Sequence, residues 1–312
     1  MDSDFTRQLK INHLRLVSAI AEHGQLNLAA ETLAITQPSA SRMLAEIEGI
    51  LGAKICQRHA RGMTLTLIGE VLARRAHDML VEMRGLSREI DDLKLGKEGI
   101  ARVGAVTGAA LGYVVPAVQQ VKALSPTADI LVNVSPSDEL IRELVAGHYD
   151  FVLARMPVSA NIDEFMVRSG RSETVALVVN ENHPLSSAKR LSLHQLGAYA
   201  WVMQESGTPI HEAVRSAFFE ANAALPRNIT NTTSLLVMIA LLASSTAIAP
   251  MSTEVLQLLA GQAISAHLTS LELQHPIIVS PYHLIMVRGR RLSPLARRLY
   301  SLVQEELSRH SA

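Results

Sequence analysis

The chain has 312 residues, of which 48% are hydrophobic, 4% aromatic and 19% charged, and its formal net charge at pH 7 is zero. This length and composition are typical of two or three well-packed domains and exclude a disordered or fibrous chain. One cysteine excludes an intramolecular disulfide bond, and no apolar run is long enough for a bilayer span or a signal peptide, so we expect a cytoplasmic protein without a membrane partner.

The first two predicted helices contribute apolar faces to one small core. The residues spaced for the buried face of the first helix are Leu14, Val17 and Ile20, and Gly24 ends this helix. In the second, shorter helix the residues expected to be buried are Leu28, Ala29 and Leu33. Asn27 is placed to accept hydrogen bonds from the free amides at the start of this second helix.

A third helix follows a short turn and has the features of a DNA-reading helix. Thr36 is placed to cap it, and Pro38 falls in its first turn, where a missing N–H breaks no hydrogen bond. Its buried stripe comprises Ala40, Leu44, Ile47 and Leu51. The first turn and the side away from the stripe carry Gln37, Pro38, Ser39, Ser41 and Arg42. Small polar side chains with one arginine suit entry into the major groove of DNA.

Residues 54–66 predict a β-hairpin, with two short strands around a turn at Arg61 and Gly62. Arg58 and Arg61 give this hairpin positive charge. Cys56, the single thiol of the chain, follows Ile55 in the first strand. This position indicates a small buried hydrophobic residue rather than a redox or nucleophilic one.

From Leu14 to Glu70 the sequence resembles the winged helix-turn-helix of the LysR-type transcriptional regulators. The residues that carry the resemblance are Ala29-Ala30, Leu33, Thr36 to Arg42, Ile47-Glu48, Leu51-Gly52, Arg58, Leu65-Thr66 and Gly69-Glu70. The residues that depart from the family's pattern, and soften the expected packing of the wing, are Gln25, Asn27, Cys56 and Gln57. The resemblance implies that residues 1–70 bind double-stranded operator DNA through Asn27, Gln37, Pro38, Ser39, Ser41, Arg42, Arg58 and Arg61.

Zero net charge counts against DNA binding, because phosphate contacts need a basic surface. Up to Thr66 the chain has seven Lys and Arg against six Asp and Glu, a net charge of +1. The basic side chains on the proposed DNA side are Arg42, Lys54, Arg58 and Arg61, with only Glu46 and Glu48 nearby. We therefore expect modest affinity for DNA from each head, raised by dimerisation.

Residues 71–98 predict a long linker helix that joins two copies of the chain. Apolar residues recur at alternating spacings of four and three at Leu72, Ala76, Met79, Met83, Leu86, Ile90 and Leu93. A strict seven-residue repeat with polar flanks favours a coiled-coil dimer, and the alternative is a helix packed on its own domain. Gly96 and Gly99 are expected to end the helix.

Residues 99–312 predict an α/β effector-binding domain, because short β-rich segments alternate with helical segments. The resemblance to the LysR family implies two Rossmann-like lobes of the periplasmic-binding-protein type. The first lobe is assigned to residues 101–159 and 269–312, and the second to residues 160–268. The hinge strands are expected near residues 160–165 and 264–270.

Hydroxyl side chains follow several of the predicted strands. Open α/β sheets bind ligands beyond the carboxyl ends of their strands, where helix N-termini present free amides. The residues at these positions are Thr107, Ser135, Ser206, Thr208, Thr232, Thr233 and Ser234. Each one taken alone is more simply explained as a helix cap. As a set, and with the family resemblance, they predict an effector site for a small carboxylate or a sugar.

Arg155 is the one cation in such a position, directly after the strand that ends at Ala154. It is a candidate to bind an effector carboxylate. The equally favoured alternative is a solvated arginine that pairs with Asp150 or Asp163.

Motifs for catalysis and metal binding are missing from the sequence. The 12 histidines are scattered without HExxH or Cys-His spacing, and neither GxSxG nor GxxxxGK[ST] occurs. We therefore expect no enzymatic activity, no cofactor and no metal. The alternative to a ligand-responsive regulator is a solute-binding or carrier module without DNA binding. For the regulator, the resemblance implies a homodimer, a tetramer formed through the sensor domains, and RNA polymerase as a further candidate partner.

Overall fold

The computed structural model describes residues 8–59, 62–94, 100–157, 160–261 and 264–309. Its contacts divide the chain into two compact units, Met1–Leu95 and Gly96–Ala312. The domain limits predicted at residues 70 and 98 stay predictions. None of the described helices is both long and apolar enough to span a lipid bilayer.

The first unit is a helical head with a short hairpin. α1 (Ile11–His23), α2 (Leu26–Thr32) and α3 (Gln37–Leu51) precede β1 (Cys56–His59) and β2 (Gly62–Leu65). Its core includes the buried side chains of Leu16, Val17, Ile20, Ala29, Ala40, Ile47 and Ile55. Gly24 ends α1 in the left-handed conformation, which confirms the predicted stop.

The start of α2 differs from the prediction. Its N-cap is Gln25, so Asn27 lies exposed within the first turn and does not cap the helix. Leu28 is exposed as well, and Leu26 takes the buried place that Leu28 was expected to have. The physical reason is helical spacing, since Leu26, Ala29 and Ala30 share one face that packs into the core.

Two glycines, Gly24 and Gly62, let the hairpin pack closely against the end of α1. β1 and β2 pair antiparallel, which confirms the predicted hairpin. Cys56 lies opposite Leu65 and His59 opposite Gly62, so Gly62 begins β2 and does not lie in the turn as predicted. The Met63 amide donates a 2.8 Å hydrogen bond to the carbonyl of Gly24. Gly62 has a φ of +141°, and a Cβ at this position would lie 2.5 Å from the Gly24 carbonyl oxygen. A side chain here would therefore push the wing away from α1.

α4 (Leu67–Lys94) has a buried first part and an exposed apolar stripe further along. Ala73 and Ala76 are buried, and the helix packs against α1. The predicted seam residues Met79, Met83, Leu86 and Ile90 are 43–56% exposed. The predicted seam ends at Leu93, whose side chain lies outside the part that the structure describes. An apolar stripe left uncovered by its own unit fits a partner helix.

The strands of the second unit are β3 (Ile100–Ala105), β4 (Asp129–Val134), β5 (Phe151–Ala154), β6 (Phe165–Asn180), β7 (Trp201–Met203), β8 (Ile229–Asn231), β9 (Ala249–Ser252), β10 (Leu268–Ser270) and β11 (Ile277–Val287). A seven-stranded sheet has the order β10-β6-β11-β5-β3-β4, and β9 pairs with β6. β3 is parallel to both β4 and β5, whereas β6 and β11 run antiparallel to each other. β7 and β8 form a separate parallel pair.

The helices of this unit are α5 (Thr107–Ala109), α6 (Val115–Leu124), α7 (Ser137–Val145), α8 (Pro209–Glu220), α9 (Leu235–Ala243), α10 (Thr253–Ala260) and α11 (Pro294–Arg309). A π-helical turn at Ala110–Val114 joins α5 to α6, and short 3-10 turns lie at Ile162–Glu164 and Leu193–Gln195. The combination of winged helix-turn-helix head, long helix and α/β unit confirms the predicted fold class.

Two long strands connect the two halves of the α/β unit. Met166 and Leu284 pack with the core around β3 and β5, whereas Val175 and Ile277 belong to the core around β7 and α8. The chain therefore crosses between the halves within β6 and β11, not near residues 160–165 and 264–270 as expected. β10, which covers much of the second expected hinge, pairs with the far end of β6. The lobe limits predicted from those hinges therefore stay a proposal. β6 and β11 each contribute residues to the cores of both halves.

Candidate functional site

The exposed side of α3 begins at a well-defined cap. Thr36 Oγ1 accepts a hydrogen bond from the Ser39 amide at 3.4 Å, and Pro38 lies in the first turn, both as predicted. Ala40, Leu44 and Ile47 are buried, which leaves Arg42 exposed on the other side of the helix. Gln37 and Pro38 are exposed as well, and Ser39 and Ser41 are half-buried.

The hairpin contributes a second cation to this face. Arg58 Nη2 donates to Ser41 Oγ at 3.3 Å, so the wing and α3 meet at these two residues. Arg61, the other predicted wing contact, lies outside the described residues. Asn27 is exposed in the first turn of α2.

Carboxylates near α3 are paired with lysines. Lys54 Nζ lies 2.6 Å from Glu48, so the positive charge that Lys54 was expected to offer DNA is offset. Glu46 lies 2.8 Å from Lys10, whose hydrogen bond lowers the pKa of the Glu46 carboxyl group. Arg42 and Arg58 are therefore the exposed cations that this face presents most clearly.

Cys56 is buried at the base of the hairpin, as predicted. Burial raises the pKa of its thiol to about 11, with a smaller contribution from the Glu48 carboxylate. The thiol is therefore protonated at neutral pH and is a poor nucleophile.

Three predicted effector residues meet at one edge of the large sheet. Ala105 of β3 lies beside Val134 of β4 and Leu153 of β5 in parallel register. The segments that follow these strand ends carry Thr107, Ser135 and Arg155. This edge is the carboxyl end of three parallel strands, where α/β folds bind ligands.

The other predicted effector residues collect at the end of the small sheet. Met203 of β7 lies beside Asn231 of β8, so the loops that follow these strands are neighbours. These loops carry Ser206, Thr208, Thr232, Thr233 and Ser234.

Some of these hydroxyls have local structural partners. Ser234 Oγ accepts from the Val237 amide at 3.4 Å and caps α9, and Thr232 Oγ1 accepts from the Ser234 amide at 3.1 Å. Thr208 Oγ1 donates to the Glu205 carbonyl at 2.9 Å. Among the described residues, no side-chain hydrogen bond engages the other four hydroxyls of the set, those of Thr107, Ser135, Ser206 and Thr233. These four hydroxyls are the ones most available to a ligand.

Arg155 is neither solvated nor paired with Asp150 or Asp163. Its guanidinium forms an ion pair with Glu173 of β6, and the two side chains are 11% and 4% exposed. Its Nε donates to the Ser280 carbonyl at 2.9 Å, and the guanidinium carbon lies 5.9 Å from the centre of the Tyr282 ring. The alternative reading of the sequence was therefore wrong, and the predicted carboxylate clamp already holds a carboxylate of the protein.

Glu173 lies where three elements meet. A Cβ built on Gly108 of α5 would lie 2.5 Å from Glu173 Oε1 and 2.9 Å from Oγ of Ser252, the residue that caps α10. Burial raises the pKa of Glu173 by more than Arg155 lowers it, and Glu254 raises it further. The site thus places a buried carboxyl group, whose ionised form is disfavoured on balance, beside the start of α5.

Sequence reasoning missed both Glu173 and Ser252. Ser252 has a usable signal, since it follows an apolar stretch and precedes the helix-forming run from Thr253. Glu173 has none, because a charged residue in a strand is usually on the surface. Among the described residues no three His, Cys, Asp or Glu side chains lie close enough to hold a metal ion together.

Each of the two units matches the model of a known protein family. The family model described as "Bacterial regulatory helix-turn-helix protein, lysR family" matches residues 11–70, and that of the "LysR substrate binding domain" matches residues 95–308. The HTH-type transcriptional regulator GbpR of Rhizobium radiobacter is 39% identical over 254 residues, which cover 81% of this chain and 84% of that protein.

Solved structures share the fold at lower identity. A full-length OxyR variant from Pseudomonas aeruginosa is 16% identical, with a TM-score of 0.57 and coverage of 95% of each chain. Full-length CbnR complexed with its target DNA is 18% identical, with a TM-score of 0.53 and coverage of 96% of this chain and 100% of that one. The curated relatives are named as transcriptional regulators rather than enzymes. The chain belongs to the LysR family and is a DNA-binding transcriptional regulator with an effector-binding domain.

Proposed function

We propose that this regulator reads its operator with the first turns of α3 and contacts the DNA backbone with the wing. The residues assigned to this surface are Asn27, Gln37, Pro38, Ser39, Ser41, Arg42, Arg58 and Arg61. The observation that carries the assignment is the contact between Arg58 and Ser41, because it sets a wing cation beside the exposed side of α3.

Small side chains at the start of α3 let the helix approach base edges closely, while Arg42 can reach a guanine or a phosphate. The free amides of the first helical turn favour a phosphate oxygen at the same place. The CbnR structure with target DNA has the same fold, which is consistent with this assignment.

α4 is assigned to dimerisation. Met79, Met83, Leu86 and Ile90 form an exposed apolar stripe that a second copy of the helix can cover. A dimer doubles the number of phosphate contacts, and this compensates for the low net charge of one head. We further propose a tetramer formed through the effector-binding domains, and RNA polymerase as a further partner.

The effector is assigned to the cleft between the two sheet edges. Thr107, Ser135 and Arg155 line one edge, and Ser206, Thr208, Thr232, Thr233 and Ser234 line the other. Hydroxyls at strand ends suit a small carboxylate or a sugar, because both offer several hydrogen-bonding oxygen atoms. A ligand that binds the closed arrangement more tightly than the open one shifts the equilibrium between them.

Footprinting with the full chain on the intergenic DNA upstream of its own gene tests the proposal. We expect two protected half-sites, because a symmetric dimer presents two copies of α3. One isolated half-site would contradict the dimer, and the absence of any protected segment would contradict the assignment of the operator to this region.

A further inference from the structure

Arg155 is held in place from several sides. Its amide donates to Ser137 Oγ at 3.0 Å, and its Nε donates to the Ser280 carbonyl at 2.9 Å. The Tyr282 ring lies beneath the guanidinium, 5.9 Å from ring centre to guanidinium carbon. These contacts fix the position of Arg155 without involving Glu173. The guanidinium would therefore keep its place if Glu173 moved away.

The Arg155 guanidinium has more N–H donors than its partners among the described residues accept from. An arginine side chain carries five N–H donors. Among the residues that the structure describes, the hydrogen bonds of this side chain run from Nε to Ser280 and from Nη2 to Glu173, so donors remain for a further acceptor.

The ionised form of Glu173 is disfavoured at this position. Its carboxyl group is buried, and burial raises its pKa more than the neighbouring Arg155 lowers it. The Glu254 carboxylate adds a like charge that opposes ionisation of Glu173. A ligand carboxylate can give Arg155 the same ion pair, and Glu173 can then take up a proton or turn towards water.

We propose that Arg155 is a carboxylate-binding subsite of the cleft, that Glu173 occupies this subsite while no effector is bound, and that the carboxylate of the effector displaces Glu173. The proposal rests on the assignment of the effector to this cleft, and it selects a carboxylate over a neutral sugar. Glu173 belongs to β6, one of the two strands that connect the halves of the α/β unit. Its displacement therefore acts directly on the strand through which the halves are joined.

The test removes the internal occupant and offers a small carboxylate in its place. The full-length Glu173→Ala variant is titrated with sodium acetate, with sodium chloride added to hold the ionic strength constant. Acetamide serves as the neutral probe of similar shape. Thermal unfolding is followed through the fluorescence of Trp201, the single tryptophan of the chain, which is buried in the core around β7 and α8.

We expect acetate, and not acetamide, to raise the melting temperature of Glu173→Ala in a saturable way. Acetate should half-saturate the variant at a concentration about tenfold lower than it does the wild type, because no internal carboxylate competes for Arg155. The double variant Arg155→Gln/Glu173→Ala should not respond. Equal effects of acetate and acetamide, or an acetate effect that persists in the double variant, would overturn the proposal.

A second variant covers the case in which Glu173→Ala does not fold. Glu173→Gln keeps the size of the side chain and removes its charge, so acetate should displace it more easily than it displaces the wild-type carboxylate. Half-saturation at the wild-type concentration would overturn the proposal with this variant too. If acetate fails while hydroxyl variants of the cleft still shift the response to an effector, the cleft assignment stands and only the role of Glu173 is refuted.

Discussion

Single residues decide how the proposed DNA-binding side of α3 is exposed. The Thr36 cap sets the first residue of α3, and the buried stripe turns Arg42 outward. Gly62 lets the hairpin approach Gly24, so that Arg58 can reach Ser41. The proposed DNA-binding surface thus depends on the cap of α3, the contact between two glycines and one side-chain hydrogen bond.

Arg42→Ala is the sharpest test of this surface. It removes an exposed side chain, so the free energy of unfolding should stay unchanged while operator binding weakens by about 1–3 kcal/mol. Fluorescence anisotropy with labelled operator DNA measures the binding loss, and urea unfolding checks the fold. Arg298→Ala removes another exposed charge, on α11, and should leave the affinity for DNA unchanged. Equal affinities of the Arg42→Ala variant and the wild type would show that Arg42 does not belong to the DNA-binding surface.

The Cys56 thiol makes stability depend on pH at the alkaline end. Its pKa is raised from 9.0 to about 11, chiefly by burial, so the folded protein keeps this proton in a range where the unfolded chain has lost it. The contribution to stability is complete below pH 9 and is lost as the pH rises through about 11. Urea unfolding across this range should therefore show a steeper loss for the wild type than for Cys56→Ala. Parallel curves would mean that the thiol is not buried in solution.

Residue-scale features were predicted well where a local pattern determines them. The Thr36 cap and the Gly24 stop are examples, because both signals lie within one turn of the helix end. Asn27 was misplaced because the cap preference was weighed without the burial of Leu26. The partner of Arg155 was missed because Glu173 lies 18 residues away, and only the pairing of strands brings the two together.

Elements carry the next level of organisation, and α4 is the clearest case. Its inner side packs on α1, whereas its seam residues are exposed. The first part of α4 therefore packs on its own unit, and the coiled-coil dimer stays a prediction for the exposed seam.

Ile90→Asp should disrupt the dimer. A charge placed in an apolar seam loses its hydration without gaining a partner, so association becomes unfavourable. Light scattering of the full chain should show a lower mass for this variant than for the wild type. Arg74→Asp introduces the same side chain on α4 away from the seam and should keep the wild-type mass. An unchanged mass for Ile90→Asp would assign the stripe to some other contact.

The alternation of strands and helices in the second unit follows from local patterns, and the structure confirms it in β3, β4, β5 and α8. β9 is harder to derive from the sequence, because Pro250 lies inside the strand, where proline normally argues against one. The crossing through β6 and β11 could not be derived from local patterns. A strand of 16 residues that serves two cores looks, in sequence, like two separate strands.

At the scale of the whole molecule, we propose that an effector bound in the cleft changes how the protein acts on DNA. Thr107→Val keeps the size of an exposed side chain and removes its hydroxyl, which forms no side-chain hydrogen bond among the described residues. DNA binding without effector should be unchanged, and effector affinity should fall by about 0.5–1.5 kcal/mol, the usual net contribution of one hydrogen bond. Promoter output measured against effector concentration should show a parallel shift of the curve. Thr174→Val, at an exposed position on β6, should leave the curve in place. A wild-type curve for Thr107→Val would leave Thr107 with a purely structural role.

The central claim is that this chain binds DNA through its head in spite of zero net charge. Fluorescence anisotropy of the full chain on its own upstream DNA, at two salt concentrations and against a scrambled duplex, tests the claim most directly. The account predicts preferential binding to the upstream DNA and weaker binding at higher salt, because each phosphate contact releases counterions. Equal binding to both duplexes, or no binding at low salt, would contradict it.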